Sequence, residues 1–363
     1  MAHQITMQDV AKRAGCSKNT VSQALRNSPQ IGKATRKRIQ QLAKKMGYRP
    51  NPMVSALMAQ NASRVGKGSV GNVIGFLTHW PDGENSGRQH PNTIQMFEGM
   101  ERRADELGYR VEEFSTWDGQ FTPKRLHQIL MTRRIHGLVL TTLACHEEFR
   151  KLPREHYIAA GSCPELTECG ISCAITDCFG NMVMAMKKLE SLGYRRPGLV
   201  INHGHDVHTN FQYRGGFAAW VGNSSRMTAL PIYCFSHPDT RISLRQWVET
   251  NRPDVVIGDI LVLELLREIG LSIPGDLGFA TSDHHVSHRG TAGFDSRLDM
   301  VGEAVIDLIT SRLYRNEFGP PKNARTVVVH GDWIDGASLP ARLPGSAPKA
   351  LRGNAAKPSP SRG

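Results

Sequence analysis

Paired cysteines are missing from this sequence. Seven cysteines stand at positions 16, 145, 163, 169, 173, 178 and 234, and no two form a C-x-x-C pair. An odd number without that spacing, and no signal-peptide pattern, predicts reduced thiols in a cytoplasmic protein. Cys169, Cys173 and Cys178 are close in sequence, but no matched second pair accompanies them, so no metal site is expected. No apolar run approaches the ~18 residues that a membrane-crossing helix needs. A nucleophile elbow, a phosphate-binding lysine loop and an H-E-x-x-H helix are all absent. No catalytic residue and no cofactor are therefore expected. The glycines of GKGSVGN, residues 66–72, lie ahead of a strand rather than after it, the wrong side for a dinucleotide fingerprint.

Acidic side chains are scarce at both ends. Residues 1–65 hold 12 Lys and Arg against one acid, Asp9. From Pro340 onward there are five basic residues and no acid. The stretch between holds 28 basic and 32 acidic residues, so the net charge of +12 sits at the ends. That distribution is the footprint of a protein that meets a polyanion, nucleic acid above all. The tail, 340–363, is Pro, Ser, Ala, Gly, Lys and Arg almost throughout. It has too little apolar surface to fold and is predicted to be disordered, either adding phosphate contacts or standing as a solvated end.

The basic N-terminal stretch has helical punctuation. Thr6 is placed to cap a first helix in which Met7, Val10 and Ala11 share a face. Gly15 suits the turn that follows, and Ser17 can cap a second helix from Lys18 to Leu25. A third helix, about Lys33 to Met46, offers Ile39, Leu42, Ala43 and Met46 to a small core. Two short crossed helices with a turn glycine form a helix-turn-helix. The second helix would read DNA: Lys18, Asn19 and Gln23 can reach base edges, while Ser17, Thr20 and Ser22 suit phosphates. The bland alternative is a small helical domain with a solvated basic face. Tyr48-Arg49-Pro50-Asn51-Pro52 ends the third helix, and Asn51 can cap a new one from Pro52 to about Gln60. That helix is too short to be stable alone in water. Its Met53, Val54, Leu57 and Met58 need something to pack on, such as a second copy in a minor groove.

Beyond a polar, glycine-rich linker, strands and helices alternate. Strands are expected at Val73–Leu77, Arg110–Phe114, Ile135–Thr141 and within YIAAG around Ala159. The pattern repeats with strands at Ala174–Asp177, Pro197–Asn202, Pro231–Phe235, Asp254–Gly258 and Leu277–Thr281. Amphipathic helices fall between them, among them Thr93–Gly108, Asn181–Leu192, Tyr213–Trp220 and Leu261–Ile269. Continuous apolar strands alternating with helices predict parallel sheets covered on both faces. Two such lobes bind small molecules at the carboxyl ends of their strands.

Residues 5–57 resemble the head and hinge of the LacI/GalR family of bacterial transcription regulators. Further resemblance lies in GMERRADELGY (99–109), RRIHGLVL (133–140), AITDCFGNMVMAMKKLESLGYRRPGLV (174–200), RGGFAAW (214–220) and IPGDLGFATSD (273–283). The resemblance implies an α/β chain: an all-α helix-turn-helix head at 1–50, a hinge helix at 51–61 and a linker at 62–72. A two-lobed core like the periplasmic sugar-binding proteins, with helix-flanked parallel sheets, would follow at 73–339. Lobe one would span about 73–162 and 291–320, lobe two about 163–290 and 321–339, with crossings near Cys163, Gly290 and Pro320. A helix from Met300 to Arg315 would return to lobe one. The family's hinge pairs in a minor groove, and Leu57 holds the place of its wedge. Many relatives have a basic or amide residue in place of Ser55, and arginine in place of Gln23.

The candidate DNA-contacting residues are thus Thr6, Ser17, Lys18, Asn19, Thr20, Ser22, Gln23, Arg26, Tyr48, Asn51, Ser55 and Leu57. Candidate effector residues are His79, Trp80, Tyr213, Arg214, Asp259 and Asp283. The two aspartates follow strand ends and serve equally well as caps or packing groups. Trp80 suits a sugar ring or lobe packing, and the histidines of HGHDVH, 203–208, read as a polar loop rather than a metal site. The expected partners are a pseudo-palindromic DNA duplex, a sugar- or nucleoside-like effector, and a second copy in a homodimer or tetramer. A binding protein or enzyme working through its cleft, and an architectural DNA binder with no effector, are the rival readings.

Overall fold

The structure is a computed structural model, described here for residues 5–25, 31–48, 72–79, 91–117, 121–236, 241–282 and 290–342. Arg26, the hinge with Asn51, Ser55 and Leu57, Trp80, Asp283 and the tail from 343 lie outside those residues.

Three helices form the head: α1 (Met7–Ala14), α2 (Lys18–Leu25) and α3 (Lys33–Lys45). Thr6 caps α1 in both directions. Its hydroxyl accepts from the Asp9 N–H at 3.3 Å, and its own N–H donates to Asp9 Oδ2 at 2.8 Å. Gly15 ends α1 at φ 64°, a left-handed conformation cheapest for glycine. Val10, Ala11, Val21, Ala24, Ile39 and Ala43 then close a core in which every helix contributes.

By its contacts the chain divides into two units, Met1–Ala174 with Leu298–Val327, and Ile175–Arg297 with Val328–Gly363. The passages between them come a little after the expected crossings. The first unit's core has β1 (Val73–Thr78), α4 (Pro91–Glu106), β2 (Arg110–Ser115), α5 (Pro123–Thr132), β3 (Gly137–Leu140), α6 (Leu143–Arg150), β4 (Ile158–Gly161) and β5 (Ser172–Thr176). Strand pairing is parallel from β2 through β1, β3 and β4 to β5. A late strand, β11 (Thr326–Val329), lies beside β5 and gives the sheet order β11-β5-β4-β3-β1-β2. The long helix α12 (Leu298–Arg315) packs on α4. The two backbones come close because Gly99 faces the Asp299 carbonyl and Gly302 faces the Met96 carbonyl. Arg102–Glu303 at 2.6 Å and Arg103–Asp307 at 2.8 Å edge the contact.

The second unit contains α7 (Cys178–Ser191), β6 (Pro197–Asn202), α8 (His203–His208), α9 (Gln212–Asn223), β7 (Tyr233–Phe235), α10 (Arg241–Asn251), β8 (Val255–Gly258), α11 (Ile260–Glu268), β9 (Gly278–Thr281), β10 (Ala292–Asp295) and β12 (Asp332–Ile334). Its sheet order is β12-β10-β9-β8-β6-β7, parallel except for the β10–β12 pair. The strands are apolar on both faces. Leu199, Ile201, Val255, Ile257 and Ala280 meet α7 and α9, while Val200, Val256 and Phe279 meet α10 and α11. That alternation is the period of two, with each face covered by helices.

Two sequence expectations change, and one helix is new. HGHDVH is the helix α8 rather than a loop, because Asn202 Oδ1 accepts the Gly204 N–H at 2.8 Å and starts a turn. The helix α6 has no counterpart in the sequence reading; Thr142 caps it through the Cys145 N–H at 3.2 Å. The strand expected at Ala174–Asp177 runs instead from Ser172 to Thr176, and Asp177 becomes the cap of α7.

Candidate DNA-reading head and ligand pocket

On the head, polar side chains separate into those that build it and those left outward. Ser17 Oγ accepts the Thr20 N–H at 3.0 Å and shares a 2.8 Å bond with the Thr20 hydroxyl, so both are engaged in starting α2. Thr6 is likewise engaged with Asp9. Lys18 is exposed on the first turn of α2, the helix that also carries Asn19; Ser22 and Gln23 are partly exposed. Tyr48 packs at the edge of the head's core. Two contacts from α3 were not anticipated. Arg38 Nη2 donates to the Ala14 carbonyl at 3.2 Å, and Gln40 Nε2 donates to the Ala24 carbonyl at 2.9 Å. Each takes up a carbonyl in the last turn of a neighbouring helix, which otherwise has no intrahelical partner. Lys12, Arg13, Lys18, Lys33, Lys37, Arg38, Lys44 and Lys45 are all exposed around this frame.

In the first unit, His79 lies just past β1, and it borders a cavity of about 460 Å³. Thr116 and Trp117, just past β2, and Phe121, Glu148 and Lys151 also line it. Parallel β1 and β2 deliver these side chains to one place because Thr78 is in register with Ser115. His79 Nδ1 lies 2.9 Å from Thr116 Oγ1, and the imidazole meets the Trp117 ring edge-on at 5.0 Å. Lys151 and Glu148 form an ion pair at 2.5 Å. Of these residues only His79 was singled out from the sequence. The available signal for Thr116 and Trp117 was their place directly after the second strand's carboxyl end.

The second unit treats its candidates differently. Tyr213 is 3 % exposed, and its ring packs 5.7 Å from Phe294 and 5.5 Å from His205, a core position rather than an open one. Arg214 is ion-paired with Asp206, with Nε 2.9 Å from Oδ2, and Asp206 is fully buried. Asp259 caps α11, accepting the Val262 N–H at 3.0 Å. The thiols are all unpaired, and burial pushes Cys173 and Cys178 up to about 12, which keeps them protonated. No helix among the described residues is long and apolar enough to cross a membrane.

Residues 6–51 match the family described as bacterial regulatory proteins, lacI family. The chain is 24 % identical over 300 residues to the HTH-type transcriptional regulator DegA of Bacillus subtilis (strain 168), covering 77 % of this chain and 82 % of that protein. It is 24 % identical over 345 residues to the ribose operon repressor of Escherichia coli (strain K12), covering 85 % and 93 %. Among solved structures, a CelR–cellobiose complex superposes with a TM-score of 0.56 at 18 % identity, over 92 % of this chain and 99 % of that one. The lac repressor dimer bound to operator and the anti-inducer ONPF gives 0.55 at 16 %, over 93 % and 100 %. A capped head that matches the lacI family model over residues 6–51 thus stands ahead of two helix-flanked, largely parallel sheets, and over most of its length the chain is similar to HTH-type transcriptional regulators.

Proposed function

We propose that two copies of this chain bind one pseudo-palindromic duplex and repress transcription there, and that a small molecule held by the core sets their affinity. The observation that carries this reading is the outward first turn of α2. Ser17 and Thr20 secure its start, Gln40 holds its end, and Lys18 is left exposed beside a basic surround. Such a helix can enter a major groove with Lys18, Asn19 and Gln23 at base edges. Heads of two subunits then meet successive grooves, and the hinge residues Asn51, Ser55 and Leu57 meet the minor groove between them. Arg26 and Tyr48 stand for phosphate contacts. His79 brings the effector to the strand ends of the first unit; Trp80, Arg214, Asp259 and Asp283 remain further candidates, and Tyr213 supports their packing. A sugar- or nucleoside-like effector is favoured by relatives described as a ribose operon repressor and as a cellobiose complex. The lac repressor, described as a dimer on its operator, favours a homodimer as the working unit. A reduced, cytoplasmic protein without cofactor or catalytic step completes the reading.

Operator selection from random duplexes, followed by anisotropy titration, tests it. The selected sequence should be a near-palindrome bound at least a thousandfold more tightly than a scrambled duplex at physiological salt. Gln23→Ala should relax the preference at one base pair per half-site by about 1–3 kcal/mol. Equal affinity for selected and scrambled duplexes would reject sequence-specific regulation by this head.

A further inference from the structure

The cavity at the ends of β1 and β2 contains a hydrogen-bond chain whose direction can be worked out. Thr116 Oγ1 lies 2.8 Å from the Thr78 carbonyl oxygen. Two oxygens that close need a proton between them, and a carbonyl has none to give, so the Thr116 hydroxyl is the donor. A hydroxyl has one proton. Toward His79 Nδ1, 2.9 Å away, Thr116 Oγ1 can therefore only accept, and Nδ1 must carry hydrogen. In the neutral ring Nε2 is then a bare acceptor. Among the described residues nothing takes up Nε2, while the imidazole borders the cavity with Trp117 against it. Thr116 is itself firmly held: it is 9 % exposed, and its N–H also donates to the Thr78 carbonyl at 2.8 Å.

The other charged groups of the cavity point the same way. The Lys151 ammonium is ion-paired with Glu148 at 2.5 Å, and among the described residues no second cation lines the wall. An anion entering there gains little attraction and meets an acceptor nitrogen and a carboxylate. Trp117 and Phe121 supply flat apolar surface. We infer that Thr116 fixes the His79 tautomer so that Nε2 accepts from an O–H or N–H of a neutral ring compound, and that the cavity discriminates against phosphorylated or carboxylated forms of it. The inference rests on the reading of the core as effector-binding, and it makes Thr116 a positioning residue and His79 the residue that sets specificity.

The tautomer is readable without any ligand or DNA. In ¹⁵N–¹H correlation spectra of the full chain at pH 8, His79, assigned by its loss in His79→Phe, should show a protonated Nδ1 and an unprotonated Nε2. Thr116→Ser should keep that pattern and Thr116→Val should lose it, with both variants melting within a few degrees of the parent. A wild-type ring protonated on Nε2, or a pattern unchanged in Thr116→Val, overturns the assignment. Calorimetry with free hexoses, pentoses and nucleosides, each beside its phosphate or uronate, tests the ligand class. A neutral member should bind, with its anionic partner weaker, and His79→Phe should weaken it about tenfold, the effect of one hydrogen bond. Tighter binding of an anionic partner, or no binding by any neutral member, overturns the ligand class but leaves the tautomer result and the operator selection standing.

Discussion

His146 is buried in α6 at 6 % exposure, and among the described residues neither ring nitrogen has a hydrogen-bond partner. Burial lowers its pKa, because the imidazolium would lose its hydration without gaining a partner; Glu147, 3.8 Å away, offsets this in part. The unfolded chain therefore takes up a proton more readily than the folded one. Stability from this group is complete at neutral pH and falls as the pH drops through the ordinary histidine range of about 6.5. Melting temperatures measured between pH 7.5 and pH 5 should fall less for His146→Leu than for the parent. Parallel melting curves across that range would show that His146 has no part in acid sensitivity. The same physics accounts for the Asp206–Arg214 pair. A fully buried carboxylate requires a partner, so Arg214 is held by the fold before any ligand can engage it.

Among the elements, α4 and α12 show how two glycines set a helix crossing. A methyl group on Gly302 would overlap the Met96 carbonyl oxygen, and one on Gly99 would overlap that of Asp299. Gly302→Ala is expected to destabilise the unit by roughly 1–3 kcal/mol through forced separation of the helices, despite the better helix propensity of alanine. Chemical denaturation checks it: an unchanged midpoint would mean that the helices separate at no cost. Both helices were expected beforehand, α4 because its apolar residues recur at helical spacing and α12 from the family resemblance; Thr93–Gly108 became Pro91–Glu106, and Met300–Arg315 became Leu298–Arg315. The central strands were legible as well, being continuous apolar runs. Less visible were α6 and α8, whose stability comes from the caps Thr142 and Asn202 and from burial of Asp206 and Cys145 rather than from a strong apolar stripe. The strands β11 and β12 also escaped notice, since each is short and earns its place by pairing with a strand far away in sequence.

For the molecule as a whole, charge and hinge define the expected behaviour. The basic excess is confined to the ends, so the affinity for any duplex should fall steeply with salt, by about 0.9 decade per decade of salt for each phosphate contact. The helix that the sequence predicts from Pro52 to about Gln60 is too short to be stable alone in water, so the proposed function has it form on the duplex. Leu57→Ala should reduce both operator affinity and duplex bending while leaving the melting temperature of the free protein unchanged. Energy transfer between dyes at the duplex ends reads the bend, and an unaltered transfer efficiency would sink the wedge role of Leu57.

Local chemistry in the chain was enough to specify the head, the alternation of strands and helices, and the place of the polyanion-binding charge. Capping, turn glycines and apolar spacing act between residues a few positions apart, so they can be read in one dimension. The fates of the individual polar groups were decided only in three dimensions. Tyr213 became core, Arg214 was claimed by Asp206, and Thr116 met His79 across two strands whose ends are 37 residues apart. Those outcomes depend on sheet register and on which buried charge must be neutralised, quantities that exist only once distant segments have packed.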